Sequence, residues 1–233
     1  MEIAVLMASG MGTRMRPLTE KVPKPLISVA GVPMIETVIA GLELRGVSVI
    51  YVVTGYLGEK FGYLENKYSS VRLITNPDFA MVNNISSIYY ACNVMRDMDC
   101  FICEADLYVA DKSIFKADLQ QSCYYGKMVR GHSEDWVFDL DRDEHISRVG
   151  KRGDDQFNMV GIAYFQKKEV NLLIDAIQEA YYTEGYEKLF WDEIVNKHLH
   201  RLGLKVHPVD EAQIVEIDTI EELEEANTRF SAL

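Results

Sequence analysis

The sequence predicts an α/β fold in which a doubly wound, mostly parallel sheet carries a small antiparallel insertion. Over residues 1–122, apolar runs alternate with helical patterns, and the first run, 3–8, opens into a glycine-rich loop. From residue 123 onward, short strand-like runs follow one another closely instead. Alternation of strands and helices is typical of a parallel sheet with helices on both faces, whereas closely spaced strands tend to pair antiparallel.

The elements of the first half follow from the spacing of apolar residues and from proline and glycine. Pro33 suits the first turn of a helix and Gly46 suits its end, which predicts a helix between them. β-branched apolar runs are typical of strands that are buried on both faces. Strands are predicted at 3–8, 47–54, 71–75 and 100–104, and helices at 33–45, 59–68 and 83–95.

The second half has a different spacing. Charged segments at 141–144 and 152–155 separate short runs, which predicts the turns of an antiparallel excursion that faces the substrate. Because no repeat, low-complexity stretch or linker interrupts the chain, residues 1–233 are expected to form a single domain. Strands are predicted at 123–130, 136–140, 146–149, 156–165, 204–207 and 214–217, and helices at 168–182, at 191–201 and after the cap Thr219.

The charge of the chain excludes several classes of function. Its formal net charge is -12, whereas a nucleic-acid-binding face or a polybasic membrane anchor needs positive charge. No apolar run approaches the roughly 18 residues that span a bilayer. Glu2 and the early glycine loop replace the basic and apolar regions of a signal peptide, so a cytoplasmic protein is expected. The four cysteines fit free thiols in a reducing compartment.

The loop after the first apolar run suits a bound polyphosphate. Gly10 and Gly12 let backbone N–H groups approach phosphate oxygens, and Arg14 and Lys24 belong to a basic cluster in an otherwise acidic chain. Neither common phosphate fingerprint is complete, because no Lys-Ser or Lys-Thr follows Gly12 and Met15 stands where a Rossmann turn has its third glycine. The glycine pair alone therefore also fits a plain turn of the chain.

The longer string around these glycines is more specific. Residues 7–19 read Met-Ala-Ser-Gly-Met-Gly-Thr-Arg-Met-Arg-Pro-Leu-Thr, and residues 23–26 read Pro-Lys-Pro-Leu. The string resembles the signature of the nucleotidyltransferase, or pyrophosphorylase-like, family, with Met-Ala-Ser in place of the usual Leu-Ala-Ala. The resemblance implies that a phosphate or phosphonate oxygen attacks the α-phosphorus of a nucleoside triphosphate, that pyrophosphate leaves, and that Mg²⁺ is the cofactor.

The same resemblance implies catalytic roles for two cations of the loop. Arg14 is expected to hold the β- and γ-phosphates, and Lys24 to contact the α-phosphate and the incoming anion. The alternative for Lys24 is a solvated surface lysine, although the prolines on both sides fix its backbone. The expected nucleotide-binding residues are Met7, Ala8, Ser9, Gly10, Met11, Gly12, Thr13, Gly55, Asn83, Asn84, Ser86, Ser87 and Ala105.

Acidic residues near strand ends are expected to hold the metal. Asp106 follows the predicted strand 100–104, at the edge where doubly wound sheets bind ligands, and it matches the family's metal aspartate. Glu216 and Asp218 are expected to share one face of a strand, and they resemble the family's second acidic ligand set. Capping of the last helix is the alternative role for Asp218.

A segment of asparagines and serines indicates which base is bound. Asn83, Asn84, Ser86 and Ser87 open a helix, where the same residue types are also ordinary caps. Together with the segment after Gly55, this string resembles the bacterial phosphocholine-type cytidylyltransferases, over nearly the whole chain. The resemblance implies CTP, with residues 1–122 as the nucleotide-binding half and 123–233 as the half that binds the acceptor and supplies the second metal ligands.

Aromatic and acidic residues of the second half are candidates for binding the acceptor. Trp136 and Trp191 resemble the choline-site aromatics of the phosphocholine branch, and four acids stand near them in the sequence, Glu134, Asp135, Asp139 and Asp192. A quaternary ammonium favours aromatic faces, whereas a primary ammonium favours carboxylates because it has N–H donors. The acids therefore favour 2-aminoethylphosphonate over phosphocholine and phosphoethanolamine, although aromatics at such spacing are more often core residues.

Two other interpretations stay open from the sequence. A sugar-1-phosphate nucleotidyltransferase would need hydroxyl-binding polar groups where this chain offers tryptophans and acids. A regulator that binds nucleotide without turnover would have no need of Lys24, Asp106 and Asp218 together. The sequence does not determine the acceptor, the downstream pathway or the oligomeric state, and a homodimer is compatible with it.

Overall fold

The structure, a computed structural model, describes residues 1–231, and its first half alternates strands with helices as predicted. The predicted helix 59–68 is split into a 3₁₀ turn, Gly58–Phe61, and a short α-helix. The elements of this half are β1 (Glu2–Ala8), β2 (Ser28–Val29), β3 (Val32–Pro33), α1 (Met34–Arg45), β4 (Val49–Thr54), α2 (Tyr63–Lys67), β5 (Val71–Thr75), α3 (Ile85–Met95), β6 (Asp99–Glu104) and β7 (Leu107–Val109).

From residue 123 to 165 strands follow one another without an intervening helix, and helices then return. The elements of this half are β8 (Cys123–Met128), β9 (His132–Leu140), β10 (Ile146–Asp154), β11 (Phe157–Phe165), α4 (Lys167–Ala180), α5 (Trp191–Leu202), β12 (Lys205–Pro208), β13 (Ile214–Glu216) and α6 (Ile220–Phe230).

The centre of the large sheet is parallel and doubly wound, which confirms the predicted fold class. Strands β6, β1, β4 and β5 lie side by side in that order, all parallel. Alternate residues of β1 belong to two apolar clusters, one on each face of the sheet. Ile3 and Val5 pack with α3, α4 and α5, and Ala4 and Leu6 pack with α1. The continuous apolar run 3–8 reflects this burial on both faces.

The predicted antiparallel excursion is present, and it is continuous with the central sheet. β11 pairs antiparallel with β6, β8 and β9, and β9 pairs with β10. β9 and β10 are longer than predicted, because polar residues such as His132–Asp135 lie on a solvated ribbon and hide the alternation of apolar and polar positions. The turn predicted at 152–155 consequently lies at the end of that segment, after Asp154.

A small separate sheet brings the end of the chain back to the end of β6. β13 pairs antiparallel with β7, and the register places Glu216 opposite Leu107, the residue after Asp106. All four cysteines are buried and free, as predicted. Within residues 1–231, no helix is long and apolar enough to cross a membrane.

Candidate active site

The carboxyl ends of β1 and β6 open into one cleft with three adjoining pockets, at the edge where doubly wound sheets bind ligands. The loop pocket lies under the opening loop, the asparagine pocket lies beside α3, and the tryptophan pocket lies against β9. Gly10 and Asp106 line both of the first two, and Arg14 and Asp218 line the loop and tryptophan pockets. Glu104 lines the asparagine and tryptophan pockets, so the three form a continuous site.

Lys24 is the buried cation of the loop pocket. Only 7% of the residue is exposed, and its Nζ donates to Asp106 Oδ2 at 2.5 Å and to Asp218 Oδ1 at 2.6 Å. Burial acts to lower the pKa of Lys24, but the charges and hydrogen bonds of the two aspartates outweigh it and hold that pKa well above its ordinary value. The ammonium therefore remains charged, and Lys24 is not a solvated surface lysine.

Gly12 is required for the close approach of the loop to Lys24. Its φ is +58°, and a Cβ at this position would lie 2.9 Å from the Lys24 Cβ and 3.0 Å from the Thr19 Cγ2. The Thr19 hydroxyl also donates to the Gly12 carbonyl at 2.8 Å, which fixes the turn. The glycine thus allows the loop and the buried lysine to share one small space.

Arg14 is the exposed cation of the same pocket. Its Nη2 donates to Asp218 Oδ1 at 2.7 Å, while 69% of its side chain is exposed. An exposed ion pair of this kind stabilises a fold by about 1 kcal/mol or less. Arg14 therefore contributes little to holding the site together and is free to contact an anion that enters the loop pocket.

The acids expected to hold a metal lie together around Lys24. Asp218 follows β13 rather than lying on it, and Thr219 caps α6, so the Asp218 side chain is not used as the cap. Within residues 1–231, no set of three or more His, Cys, Asp or Glu side chains is gathered as a ready metal site. The carboxylates of Asp106 and Asp218 nonetheless converge on one point, and hard carboxylate oxygens suit Mg²⁺.

Two glutamates lie beside the aspartates, and desolvation and crowding of the carboxyl groups raise the pKa of both. Glu216 is exposed to the cleft, and the surrounding cleft walls, with the charges of Asp106 and Asp218, raise its pKa above its ordinary value. Burial, together with the charges of Glu216 and Asp106, raises the pKa of Glu104 well above its ordinary value. A site with this many clustered acids is complementary to added positive charge.

The asparagine pocket gathers most of the residues expected to bind the base. The hydroxyl of Ser86 accepts a hydrogen bond from Asn76 Nδ2 at 2.8 Å, and Ser87 Oγ donates to Ser9 Oγ at 3.3 Å, so the pocket floor holds these hydroxyls in two hydrogen-bonded pairs. Sequence reasoning missed Asn76 and Phe79, although Asn76 directly follows β5 at the same edge of the sheet. The residues lining the pocket are Met7, Ser9, Gly10, Asn76, Phe79, Val82, Asn83, Asn84, Ser86, Ser87, Glu104 and Asp106.

Asn84 joins this pocket to the next segment of the cleft. Its Oδ1 accepts a hydrogen bond from the backbone N–H of Trp191 at 3.0 Å, at the first residue of α5. The neighbouring Asn83 donates its backbone N–H to the Glu187 carbonyl at 2.9 Å. The wall of the asparagine pocket is therefore fastened to the segment that leads into the tryptophan pocket.

The structure places three of the expected nucleotide-binding residues outside the pockets. Met11 is 38% exposed on the outside of the loop, and Ala105 is fully buried in the core. Gly55 packs beneath Phe79, whose side chain would meet a Cβ on that glycine at 2.6 Å. Ala8, Gly12 and Thr13 line the loop pocket as expected. Sequence order alone does not separate residues that face the cleft from residues that support it.

The tryptophan pocket combines aromatic rings with charged groups. Trp136 meets Phe190 edge to face, with 5.5 Å between ring centroids. Glu134 and Asp135 line the same pocket, and Asn158 Nδ2 donates to Asp135 Oδ2 at 3.3 Å. Phe190 was not among the predicted acceptor-binding residues, although it is a sequence neighbour of Trp191.

Three predicted acceptor-binding residues do not reach this pocket. Trp191 is 3% exposed and stacks on Tyr124, because it lies on the buried face of α5. Asp192 is also 3% exposed and accepts a hydrogen bond from the Tyr124 hydroxyl at 2.9 Å. Asp139 lies three positions from Trp136, so strand alternation turns it to the other face, where it pairs with Arg148 at 2.5 Å.

Comparisons with known proteins agree with this geometry. Residues 3–135 match the family described as nucleotidyl transferase. The chain is 50% identical over 220 residues, which are 94% of its length, to the 2-aminoethylphosphonate cytidylyltransferase of Lancefieldella rimae, of which 89% is covered. It is 29% identical to the choline-phosphate cytidylyltransferase of Streptococcus pneumoniae, over 94% of each chain.

A solved structure leads to the same family. The CTP:phosphocholine cytidylyltransferase of Streptococcus pneumoniae superposes with a TM-score of 0.90 and 28% identity, over 98% of both chains. The family match, the identity along nearly the whole chain and the superposition agree with the opening loop and with the cleft that it lines. The chain belongs to the nucleotidyl transferase family, among the enzymes that are cytidylyltransferases.

Proposed function

We propose that the enzyme transfers CMP from CTP to 2-aminoethylphosphonate, releases pyrophosphate and uses Mg²⁺. The observation that carries the proposal is the tryptophan pocket, which places Glu134 and Asp135 in one cavity with Arg14 and Asp218 of the loop pocket. A short zwitterion fits this arrangement, with its ammonium at the acids and its phosphonate toward Lys24. The 50% identity to a 2-aminoethylphosphonate cytidylyltransferase supports the same acceptor.

The proposed reaction needs alignment and charge rather than a protein nucleophile. A phosphonate oxygen attacks the α-phosphorus of CTP, the bond from that phosphorus to the bridging oxygen breaks, and pyrophosphate leaves with the bond electrons. Lys24 is fixed where it can contact both anions, and Arg14 is free to contact the departing pyrophosphate. Fixed cations at such positions lower the barrier by stabilising the charge that develops in the transition state.

Asp106, Glu216 and Asp218 are the residues that would hold Mg²⁺ in this proposal. Their carboxylates fit the ion, because Asp106 and Asp218 converge on one ammonium and Glu216 lies beside them with a raised pKa. When bound, Mg²⁺ supplies charge neutralisation for the triphosphate. Removal of divalent ions with EDTA is expected to abolish turnover and added Mg²⁺ to restore it, which an assay of pyrophosphate release would measure.

The asparagine pocket is the proposed site of the cytosine ring. The hydroxyls of Ser9, Ser86 and Ser87 are engaged in the floor, and the Asn84 oxygen is engaged by the Trp191 N–H. The amide nitrogen of Asn84 remains as the side-chain donor that faces the base.

Phosphocholine is the second candidate acceptor. The edge-to-face pair of Trp136 and Phe190 is an aromatic surface of the kind that binds a quaternary ammonium, and it supports this candidate together with the 29% identity to a choline-phosphate enzyme. The sugar phosphate hypothesis has no comparable support, because acids and aromatic rings line the pocket. The regulator hypothesis is set aside, since the chain belongs among enzymes.

The test is pyrophosphate release with each nucleoside triphosphate paired with each acceptor. Release is expected with CTP and 2-aminoethylphosphonate at a higher kcat/KM than with phosphocholine or phosphoethanolamine. Preference for phosphocholine, or release only with a sugar phosphate, would overturn the proposed acceptor. Equal use of ATP, GTP or UTP would overturn the proposed base.

A further inference from the structure

A cation of the chain itself covers the aromatic pair of the tryptophan pocket. Lys151 Nζ lies 5.8 Å from the centroid of the Trp136 ring and 5.7 Å from that of Phe190. Both distances are within the range of about 6 Å over which an ammonium is attracted to an aromatic face. The two ring faces that would attract a cationic acceptor are thus already in contact with one.

The sheet sets the position of this lysine. Lys151 on β10 is the direct cross-strand partner of Trp136 on β9. Directly opposed residues lie about 5 Å apart at Cβ, so the lysine stem extends along the tryptophan ring. The Lys151 side chain is exposed and lies at the rim of the pocket, where it meets any acceptor that approaches the rings.

The carboxylate of Asp135 remains available when the rings are covered. Its Oδ2 accepts a long hydrogen bond from Asn158 at 3.3 Å, whereas Glu134 has one oxygen paired with His132 and the other with Arg152. A primary ammonium donates N–H bonds and is bound by such carboxylates without needing an aromatic face. A trimethylammonium group has no N–H, so it depends on the aromatic faces that Lys151 covers.

We propose that Lys151 is a specificity-determining residue that excludes quaternary ammonium acceptors in favour of primary ones. The proposal rests on the proposed function in one respect, that the ammonium of the acceptor lies in the tryptophan pocket. It adds a residue that selects against a competing substrate, in addition to the acids that select for the preferred one.

The test compares kcat/KM for phosphocholine and 2-aminoethylphosphonate in the wild type and three variants. Lys151→Gln removes the charge from the rings and is expected to raise the ratio of phosphocholine to 2-aminoethylphosphonate about tenfold. Lys151→Arg keeps a cation on the rings and is expected to preserve the wild-type ratio. Lys127→Gln removes another lysine of the same pocket without uncovering the rings, and it is expected to leave the ratio unchanged.

A binding measurement separates this proposal from the proposed function. Trp136 lies at the pocket and Trp191 is buried, so intrinsic fluorescence during a phosphocholine titration reports on Trp136 without any turnover. Tighter phosphocholine binding to Lys151→Gln than to the wild type supports the proposal even if 2-aminoethylphosphonate proves not to be the acceptor. An unchanged ratio together with unchanged binding overturns it, as does an equal rise with Lys127→Gln.

Discussion

Lys24 carries the positive charge that lies between the carboxylates of Asp106 and Asp218. Its ammonium is buried between Asp106 and Asp218, and each partner would be poorly placed without it, because like charges at short distance repel. The prolines beside it, Pro23 and Pro25, are buried as well and hold the backbone of the 3₁₀ turn Lys24–Leu26. Sequence and structure therefore agree on a fixed cation rather than a mobile one.

Lys24→Ala is expected to lower turnover by about a thousandfold or more, since it removes the cation proposed to contact both reacting anions. Steady-state pyrophosphate release measures the loss, and far-ultraviolet circular dichroism checks that the fold is intact. Lys21→Ala is the matched control, because Lys21 is an exposed lysine of the same loop. Near-normal turnover by Lys24→Ala would remove Lys24 from the mechanism.

Asp192 is a buried carboxyl whose protonation is expected to affect the stability of the fold. Burial raises its pKa from 3.8 to about 7, while the hydrogen bond from Tyr124 acts to lower it. The folded-state pKa is above the unfolded value, so the stability due to this carboxyl is fully present below pH 3.8 and is lost as the pH rises through about 7.

Asp192→Asn keeps an acceptor for the Tyr124 hydroxyl and removes the charge. The variant is expected to be more stable than the wild type by only about 1.5 kcal/mol at pH 5 and by at most about 4 kcal/mol at pH 8.5. Urea unfolding of both proteins at the two pH values measures the difference. An equal difference in stability at both values would contradict the raised pKa.

The start of helix α5 connects the asparagine pocket with the tryptophan pocket. The helix begins at Trp191, whose backbone N–H has no partner within its own helix and donates to Asn84. Phe190, one residue earlier, turns its ring into the tryptophan pocket. A single residue of the asparagine pocket thereby helps to hold an aromatic wall of the tryptophan pocket.

Two substitutions at Asn84 separate its contacts. Asn84→Ala leaves the Trp191 N–H without a partner and is expected to cost about 1 kcal/mol of stability and to raise the KM of the acceptor several-fold. Asn84→Asp keeps an oxygen at the helix N-terminus but loses the amide donor, so it is expected to retain stability and to raise the KM of CTP. Thermal unfolding and separate KM values check both, and identical effects of the two variants would argue against this division.

The two halves of the sequence contribute strands to the same large sheet and residues to the same apolar cluster. β11 of the second half pairs with β6 of the first, and residues of β1, α3, α4 and α5 pack in the same apolar cluster. Residues 1–122 alone would expose the edge of β6 and much of that cluster. The two halves are therefore not separate folding units.

The intact protein is expected to unfold in one cooperative transition, because the shared sheet leaves neither half a complete core. Calorimetric and van't Hoff enthalpies of unfolding should then agree. A fragment of residues 1–122 is expected to lack a cooperative thermal transition. A folded fragment with its own melting transition would contradict the shared core.

The sequence predicted the strands and helices of the parallel half well, because each has a local pattern of apolar residues with proline or glycine at its ends. It was less accurate for β9 and β10, whose exposed polar residues carry no such pattern. Residues just beyond a strand end, such as Asp106 and Asn76, lie where doubly wound sheets bind ligands, so both positions can be found from the sequence.

The sequence by itself determined the fold class, the glycine-rich opening loop with Lys24, and the family, because these depend on contiguous residues. Only the tertiary structure decided which residues line the tryptophan pocket. It turned Trp191 into the core and placed Phe190 and Lys151 beside Trp136. The physical reason is that the local pattern fixes the face of a strand or helix on which a side chain lies. Strand register and helix packing then decide which residues of other elements contact that side chain.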